Sequence, residues 1–271
     1  MIDYLVIGHI TADLTPTGTL VGGTVAYSGR TAQVLGCETA VLSSAAAAYD
    51  WQQALPDIQV HAIPAEHTST FENIYTAKGR RQIIHSVAAP ITKADVPPDW
   101  QRAAIVHLGP LTNEVDPDLI DLFSNSLTGL TPQGWLRRWD EDGVVYARAW
   151  EAAEQTLPQA AAVILSYEDL LDDAMLEQYR RWSKLLVMTE GVRGCTVFLG
   201  DEIRQIPAPP VNQVEPTGAG DIFAAAFLYR LYQTDGNPWE AARFANKIAS
   251  QSVTQVGLEA KLEAIRQVIT S

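Results

Sequence analysis

Cysteine is nearly absent from this chain: 271 residues hold only Cys37 and Cys195. The two stand far apart and form no metal-like pair, although one disulfide between them is formally open. Disulfide frameworks belong to small secreted domains, and a chain of this length can bury a core without staples, so reduced, buried thiols are expected. Positive charge is also scarce. Lys and Arg number 19 against 32 Asp and Glu, a net charge of −13. Nucleic acid and anionic membranes need clustered Lys and Arg, so neither is expected as a partner. A phosphate ligand is not excluded, because charges more than about 8 Å from a site are largely screened at physiological salt.

Other absences narrow the field further. The five histidines show no metal-ligand spacing, and His107, on an apolar run, reads as a core residue. No uninterrupted apolar stretch approaches membrane-spanning length. The start, Met1-Ile2-Asp3-Tyr4-Leu5-Val6-Ile7-Gly8, lacks the basic opening and long apolar middle of a secretory leader, so a soluble, cytoplasmic protein is expected. There is no Walker-type glycine loop ending in Lys-Ser or Lys-Thr, and no G-x-S-x-G elbow. Repeats, low-complexity tracts and linkers are missing too, so residues 1–271 are read as one domain.

What is present is an alternation of short β-rich runs with amphipathic helical runs. Strands are predicted at 4–7, 39–42, 59–63, 104–108, 162–165, 184–188 and 195–199, with helices at 24–35, 116–123 and 168–182. Several of these strand runs are continuously apolar, as expected where helices cover both faces. The pattern implies an α/β fold: a doubly wound, mostly parallel sheet flanked by helices. Two segments break the rhythm, about 14–22 and 67–87. The first is rich in Thr, Pro and Gly. The second holds two β-like runs joined by Lys78-Gly79-Arg80-Arg81 and reads as a hairpin. Such strands could form a small β lid over a site, or an edge hairpin with no role. The last third is helical, with an apolar run at 222–232, an Asn237-Pro238 helix start and a closing helix at 262–269.

The most informative stretch is Glu215-Pro216-Thr217-Gly218-Ala219-Gly220-Asp221, running directly into that apolar helix. A helix start leaves backbone N–H groups without partners and carries about half a positive charge. Gly218 and Gly220 lack Cβ atoms, so a phosphate can approach their backbone closely. Asp221, in the first turn, directs a carboxylate into the same space. An anion cradle beside a carboxylate suits phosphoryl transfer. The same spacing also describes an ordinary helix capped after a glycine turn, and spacing alone does not separate the two. A dinucleotide-binding reading fails, since Phe223 occupies the third glycine position and the motif lies late in the chain.

The run Pro216–Asp221, followed by Ile222-Phe223-Ala224-Ala225-Ala226-Phe227, closely resembles the C-terminal signature of the ribokinase-like carbohydrate kinases, the phosphofructokinase-B type. The likeness extends over nearly the whole chain. Gly8-His9-Ile10-Thr11-Ala12-Asp13 is similar to the family's first strand with its substrate-binding aspartate, and Gly22-Gly23 to its paired glycines at the sugar site. Thr189-Glu190-Gly191, with Gly194, resembles the nucleotide-side segment, and Asn246 through Gly257 the adenine-flanking helix and loop.

The resemblance implies an ATP-dependent kinase acting on a hydroxyl of a small sugar or cyclic polyol. Asp221 would be its base, and Gly218, Ala219 and Gly220 its anion hole. Asp13, Gly22 and Gly23 would meet the substrate, and Thr217, Thr189, Gly191, Gly194 and Asn246 the nucleotide. A nucleoside kinase of the same fold, or a catalytically silent relative that binds ligand or partner, are the rivals. The sequence departs from the family at several places. Thr24, Val25 and Ala26 follow the paired glycines where Asn is usual. The Asn-x-x-Glu motif that helps place Mg²⁺ appears as Ser166-Tyr167-Glu168-Asp169, so Glu168 or Asp169 would act on the metal through water. Glu215 stands where the family commonly has Asp beside a monovalent-cation site, which leaves potassium dependence open. Residues 129–140 are similar to a subgroup that includes the plant myo-inositol kinases, and there Arg137 or Arg138 could reach a phosphate, or lie in a solvated loop. Exposed lid strands could pair between subunits, giving a homodimer.

Overall fold

Why the strand runs are apolar throughout is seen at β1 (Tyr4–Ile7). Successive side chains of a strand point to opposite faces, and here both faces are covered. Tyr4 and Val6 join one apolar cluster, Leu5 and Ile7 another on the far side of the sheet. The computed structural model describes residues 2–16, 18–76 and 79–270. Lys78, in the expected hairpin connection, Ala77 just before it, and Thr17 lie outside the described residues.

After β1 come β2 (Thr11–Thr15), β3 (Gly18–Gly22), α1 (Thr24–Val34), β4 (Thr39–Ala46), β5 (Gln59–Ala65), β6 (Ser69–Thr76) and β7 (Gly79–Ser86). The middle of the chain gives β8 (Ile105–Leu108), β9 (Leu127–Leu130), β10 (Arg137–Trp139), β11 (Val145–Ala147), α2 (Ala153–Thr156), β12 (Ala162–Ser166) and α3 (Asp173–Trp182). It closes with β13 (Leu186–Thr189), β14 (Cys195–Leu199), β15 (Glu202–Ile206), α4 (Ala219–Gln233), α5 (Pro238–Ser252) and α6 (Leu258–Thr270).

Nine strands form one sheet in the order β15-β14-β13-β12-β9-β8-β1-β4-β5. It is parallel from β13 to β5; β14 and β15 run antiparallel at one edge. The chain leaves β1 for β4 on one side and returns to β8 on the other. That switch point places the loop after β1 at the carboxyl edge of the sheet, where such folds bind ligands. A second sheet, β3-β2-β6-β7, is built from the two segments that interrupt the α/β rhythm. The β10–β11 hairpin bridges to it through Ile83 and Val144.

Helices α1, α4, α5 and α6 cover one face of the large sheet. In α4, Phe223, Phe227, Leu228 and Leu231 are buried, each contributing about 1.5–3 kcal/mol of gross transfer free energy before entropy is subtracted. A Cβ on Gly129 would fall 2.3 Å from Leu228 Cδ2. The bare glycine in β9 thus lets the middle of α4 pack directly on the sheet.

Two helix expectations need correction. Residues 116–123 form a 3₁₀ helix, Pro117–Phe123, not an α-helix. The helix expected from 168 begins at Asp173, because Asp172 accepts from Met175 N at 2.8 Å and caps a new start. Residues Tyr167–Asp169 instead make a separate turn closed by Ser166 and Asp169. Both cysteines are free thiols; burial pushes each up to about 12. Among the described residues no helix is long and apolar enough to cross a membrane.

Candidate functional site

The site is assembled where β1, β8, β12 and β13 end and where α1 and α4 begin. β1 runs out into Gly8 and His9. Glu114, buried beyond β8, accepts from His9 N at 3.0 Å and from Leu111 N and Thr112 N at 2.9 and 2.6 Å. His9 reaches the second sheet: Nε2 meets Ala89 O at 2.8 Å and Nδ1 meets Ser69 Oγ at 2.7 Å. A carbonyl only accepts, so Nε2 carries the proton and Nδ1 accepts from the serine. These buried bonds set the second sheet's position against the large one.

Asp13 in β2 accepts from Thr11 Oγ1 at 2.9 Å. Gly22 lies against it: a Cβ there would stand 2.2 Å from Asp13 Oδ2. At Gly23 φ is +91°, and a Cβ would fall 2.4 Å from His9 O. Only glycine satisfies both demands, the left-handed backbone and the close approach. Asp13, Gly22 and Gly23, singled out separately in the sequence, are brought together at the start of α1.

The first turns of α1 and α4 are clamped to each other. Thr24 hydrogen-bonds the Asp221 carboxylate, and Ser28 Oγ donates to Asp221 O at 3.0 Å. The Tyr27 ring packs on Gly218, where φ is +76° and a Cβ would come within 2.2 Å of the ring. Gly220 differs: a Cβ there meets nothing within 4 Å, so its backbone faces open space. Ala219 N donates back to Pro216 O at 3.0 Å, and Thr217 is half-buried ahead of it.

Asp221 carries a carboxyl pushed up to about 6, chiefly by burial. The Thr24 hydrogen bond and the Arg137 charge pull it down, while the Asp13 and Asp169 charges push it up. These five residues, spread over 208 positions of sequence, therefore share one electrostatic environment. Arg137 is buried in β10, whereas Arg138 is exposed with its guanidinium 5.2 Å from the Tyr146 ring centre. Neighbouring residues of a strand face opposite ways, which explains why one of the pair turns to the site and the other to solvent. Arg137 and Thr24 are the site residues that sequence reasoning did not settle; alternation within a recognised 137–139 strand was the signal for the first, and none existed for the second.

The remaining expected residues lie at and after the ends of β12 and β13 and in α5. Thr189 Oγ1 donates to Leu165 O at 3.3 Å. Gly191 (φ +59°) and Gly194 (φ +95°) bound the turn between β13 and β14; a Cβ on Gly194 would strike Ile206 O at 2.2 Å. Asn246, buried in α5, donates to Ile206 O at 2.9 Å, so its amide faces inward. Glu168 is exposed, while Asp169 is half-buried and accepts from Ser166 N and Gln133 Nε2, both at 3.1 Å. Among the described residues no three His, Cys, Asp or Glu stand together as a metal cage. Asp169, whose charge acts on Asp221, does fit Mg²⁺, which is characteristically held by one or two carboxylates plus substrate phosphates. His107 is a satisfied core residue, bonded to Tyr4 and Thr131 and lowered to about 3 by burial.

Residues 142–265 match the family model described as pfkB family carbohydrate kinase. Cytidine kinase from Thermococcus kodakarensis is 27% identical over 252 residues, 84% of this chain and 88% of that protein. Inositol 3-kinase from Zea mays is 33% identical over 193 residues, 66% of this chain and 48% of that protein. A pyrophosphate-dependent kinase of the ribokinase family, solved with a pyrophosphate analog and myo-inositol, superposes with TM-score 0.81 at 22% identity, covering 96% of this chain and 99% of that one. Arabidopsis thaliana ribokinase, solved with ribose and ATP, gives TM-score 0.74 at 17% identity, covering 97% and 98%. With the glycine turn opening α4 onto Asp221, these likenesses support a ribokinase-like carbohydrate kinase, part of whose sequence is similar to the inositol 3-kinases.

Proposed function

We propose that this enzyme transfers the γ-phosphoryl group of ATP to a hydroxyl of a small sugar or cyclic polyol. The observation that carries the reading is Asp221, a carboxyl raised to about 6 at the mouth of a glycine-lined helix start. Such a group is ionised at neutral pH yet basic enough to receive a proton in the transition state. The acceptor hydroxyl gives its proton to Asp221 as its oxygen forms a bond to the γ-phosphorus. The bond from phosphorus to the bridging oxygen breaks, and ADP leaves with that oxygen.

The amides of Gly218 and Gly220 stabilise the phosphoryl oxygens, already oriented by the helix start, while the Ala219 N–H, turned back to Pro216 O, shapes the cradle. Arg137 adds a full positive charge that the sequence-wide acidity does not supply. Asp13, with Gly22 and Gly23, holds acceptor hydroxyls and so selects the oxygen that faces Asp221. Thr217, Thr189, Gly191, Gly194 and Asn246 flank the donor. Mg²⁺, when bound, neutralises charge on the donor phosphates, with Asp169 the carboxylate that holds it through water. The second sheet closes over the acceptor.

Two observations define the rival arms of the test. The inward-facing Asn246 amide favours a donor without a purine, and a similar fold belongs to a pyrophosphate-dependent kinase. The cytidine kinase match favours a nucleoside acceptor. Inositols, sugars and nucleosides incubated with Mg²⁺ and either ATP or pyrophosphate, and read by phosphorus NMR, separate these. A phosphate ester of a sugar or inositol formed from ATP is expected. Ester from nucleosides alone, or from pyrophosphate alone, transfers the assignment to that arm. Silence with both donors contradicts the proposal in favour of a binding protein.

A further inference from the structure

We propose that Lys261 is a tethered monovalent cation: its ammonium positions the phosphate-cradle segment and frees the enzyme from any need for potassium. The inference rests on reading residues 215–221 as that cradle. Lys261 lies in the first turn of α6 with its side chain wholly buried, unusual for the residue type most consistently kept in water. Its Nζ donates to Glu215 O at 2.6 Å and to Ser252 O at 3.4 Å, with Glu215 Oε2 also at 3.4 Å. An ammonium has three protons to give, and three oxygens surround it.

The same corner is sewn together from the other direction. Glu215 Oε2 accepts from Gly257 N at 2.8 Å, and Val214 N and Glu215 N both donate to Val253 O, at 2.8 and 3.1 Å. The cradle segment is thereby fixed to the turn between α5 and α6, with Lys261 at the centre. Two main-chain carbonyls and a carboxylate are the oxygen donors that an alkali ion would choose. The resemblance puts a monovalent-cation site beside position 215, and here the positive charge is covalent. A second cation among these oxygens would lie against the ammonium in a place shielded from water, where like charges repel strongly. The residues present therefore do not fit a separate potassium ion. Burial lowers Lys261's pKa, while the Glu215 charge and hydrogen bond oppose the loss of its proton.

Lys261 acts through the segment it holds, so it is a positioning residue. The test compares wild type, Lys261→Ala and Lys261→Met in chloride salts of potassium, ammonium, sodium and tetramethylammonium at equal ionic strength, reading Tm and turnover. Wild type is expected to be indifferent to the salt in both. Lys261→Ala should lose about 10–100-fold in turnover in tetramethylammonium, as a misplaced group costs, and recover with potassium or ammonium alongside a rise in Tm. Lys261→Met, which fills the space without charge, should lose turnover and stay lost. Activation of wild type by potassium would overturn the proposal. So would a folded Lys261→Ala whose turnover is unimpaired, or equally impaired in every salt. Should Lys261→Ala not fold, the wild-type salt series decides alone, indifference supporting the proposal and potassium dependence overturning it. If wild type shows no turnover with any acceptor, the kinase reading fails by itself, and the salt dependence of Tm still decides the cation.

Discussion

Replacing Asp221 with Asn should make this protein more stable at neutral pH while removing its base. The carboxyl's folded value is about 6 against an ordinary 3.8. Its folded state thus favours the protonated form. The stability that form confers is complete below 3.8 and is lost as pH rises through 6, so ionised Asp221 is a burden at pH 7. Each tenfold change in acidity is about 1.36 kcal/mol, which puts the burden at roughly 3 kcal/mol.

Two effects work against the whole of this appearing. An anion in the first turn of α4 gains about 0.3–1 kcal/mol from the helix dipole, and the partly open face of the site screens some of the rest. Asn, which never ionises, should then gain about 2 kcal/mol in urea unfolding at pH 7.5. At pH 4.5 most of the burden is already relieved, and the gain should shrink to about 1 kcal/mol or less. The unfolding midpoints of the two proteins at both pH values check this. A variant less stable than wild type at pH 7.5, or one whose gain does not change with pH, would mean that the carboxylate serves as an ordinary helix cap.

Three further outcomes are expected. The acid limb of kcat/KM should have its midpoint near the Asp221 value of about 6, so that activity at pH 5 is about a tenth of its plateau. Arg137→Met should carry that midpoint upward, by up to about one pH value, because the guanidinium now pulls the carboxyl down; an unmoved limb would remove Arg137 from the site. The glycines should divide. Gly218→Ala forces a Cβ into the Tyr27 ring at positive φ, costing at least about 1 kcal/mol and lowering Tm by about 2–4 °C or more. Gly220→Ala, with open space in front of it, should leave Tm alone and weaken the donor's KM. Equal effects at the two positions would mean that Gly220 does not face the phosphate.

The fold was legible where burial dictated pattern. Strands covered on both faces leave few polar positions, so β1 and β14 stand at the predicted bounds, while others differ by a residue or a few at one or both ends. Elements that depend on which of several caps prevails were not. Glu168, Asp169 and Asp172 can all open a helix, and only the Met175 N–H, which Asp172 captures, shows where α3 begins. Strands β9, β10, β11 and β15 went unread: β10 and β11 are three residues long, β9 is four with Thr128 and Gly129 at its centre, and β15 is largely polar.

In the site, local chemistry was readable and long-range chemistry was not. Gly218, Gly220 and Asp221 announce themselves within four residues of sequence. Thr24 acquires its role from a carboxylate 197 positions away, and nothing in a threonine after two glycines points there. Lys261, one lysine on an amphipathic helix, reads as a solvated residue until the fold brings Glu215 and Ser252 to it.

The central claim is tested most directly by the turnover of Asp221→Asn with the acceptor that the wild-type screen identifies. A fall of about 10²–10⁴ in kcat is expected, the usual loss of a general base, from a protein whose Tm is no lower than wild type's. Turnover equal to wild type's, from that same folded variant, would show that the proton leaves by another route and that the assignment of Asp221 is wrong.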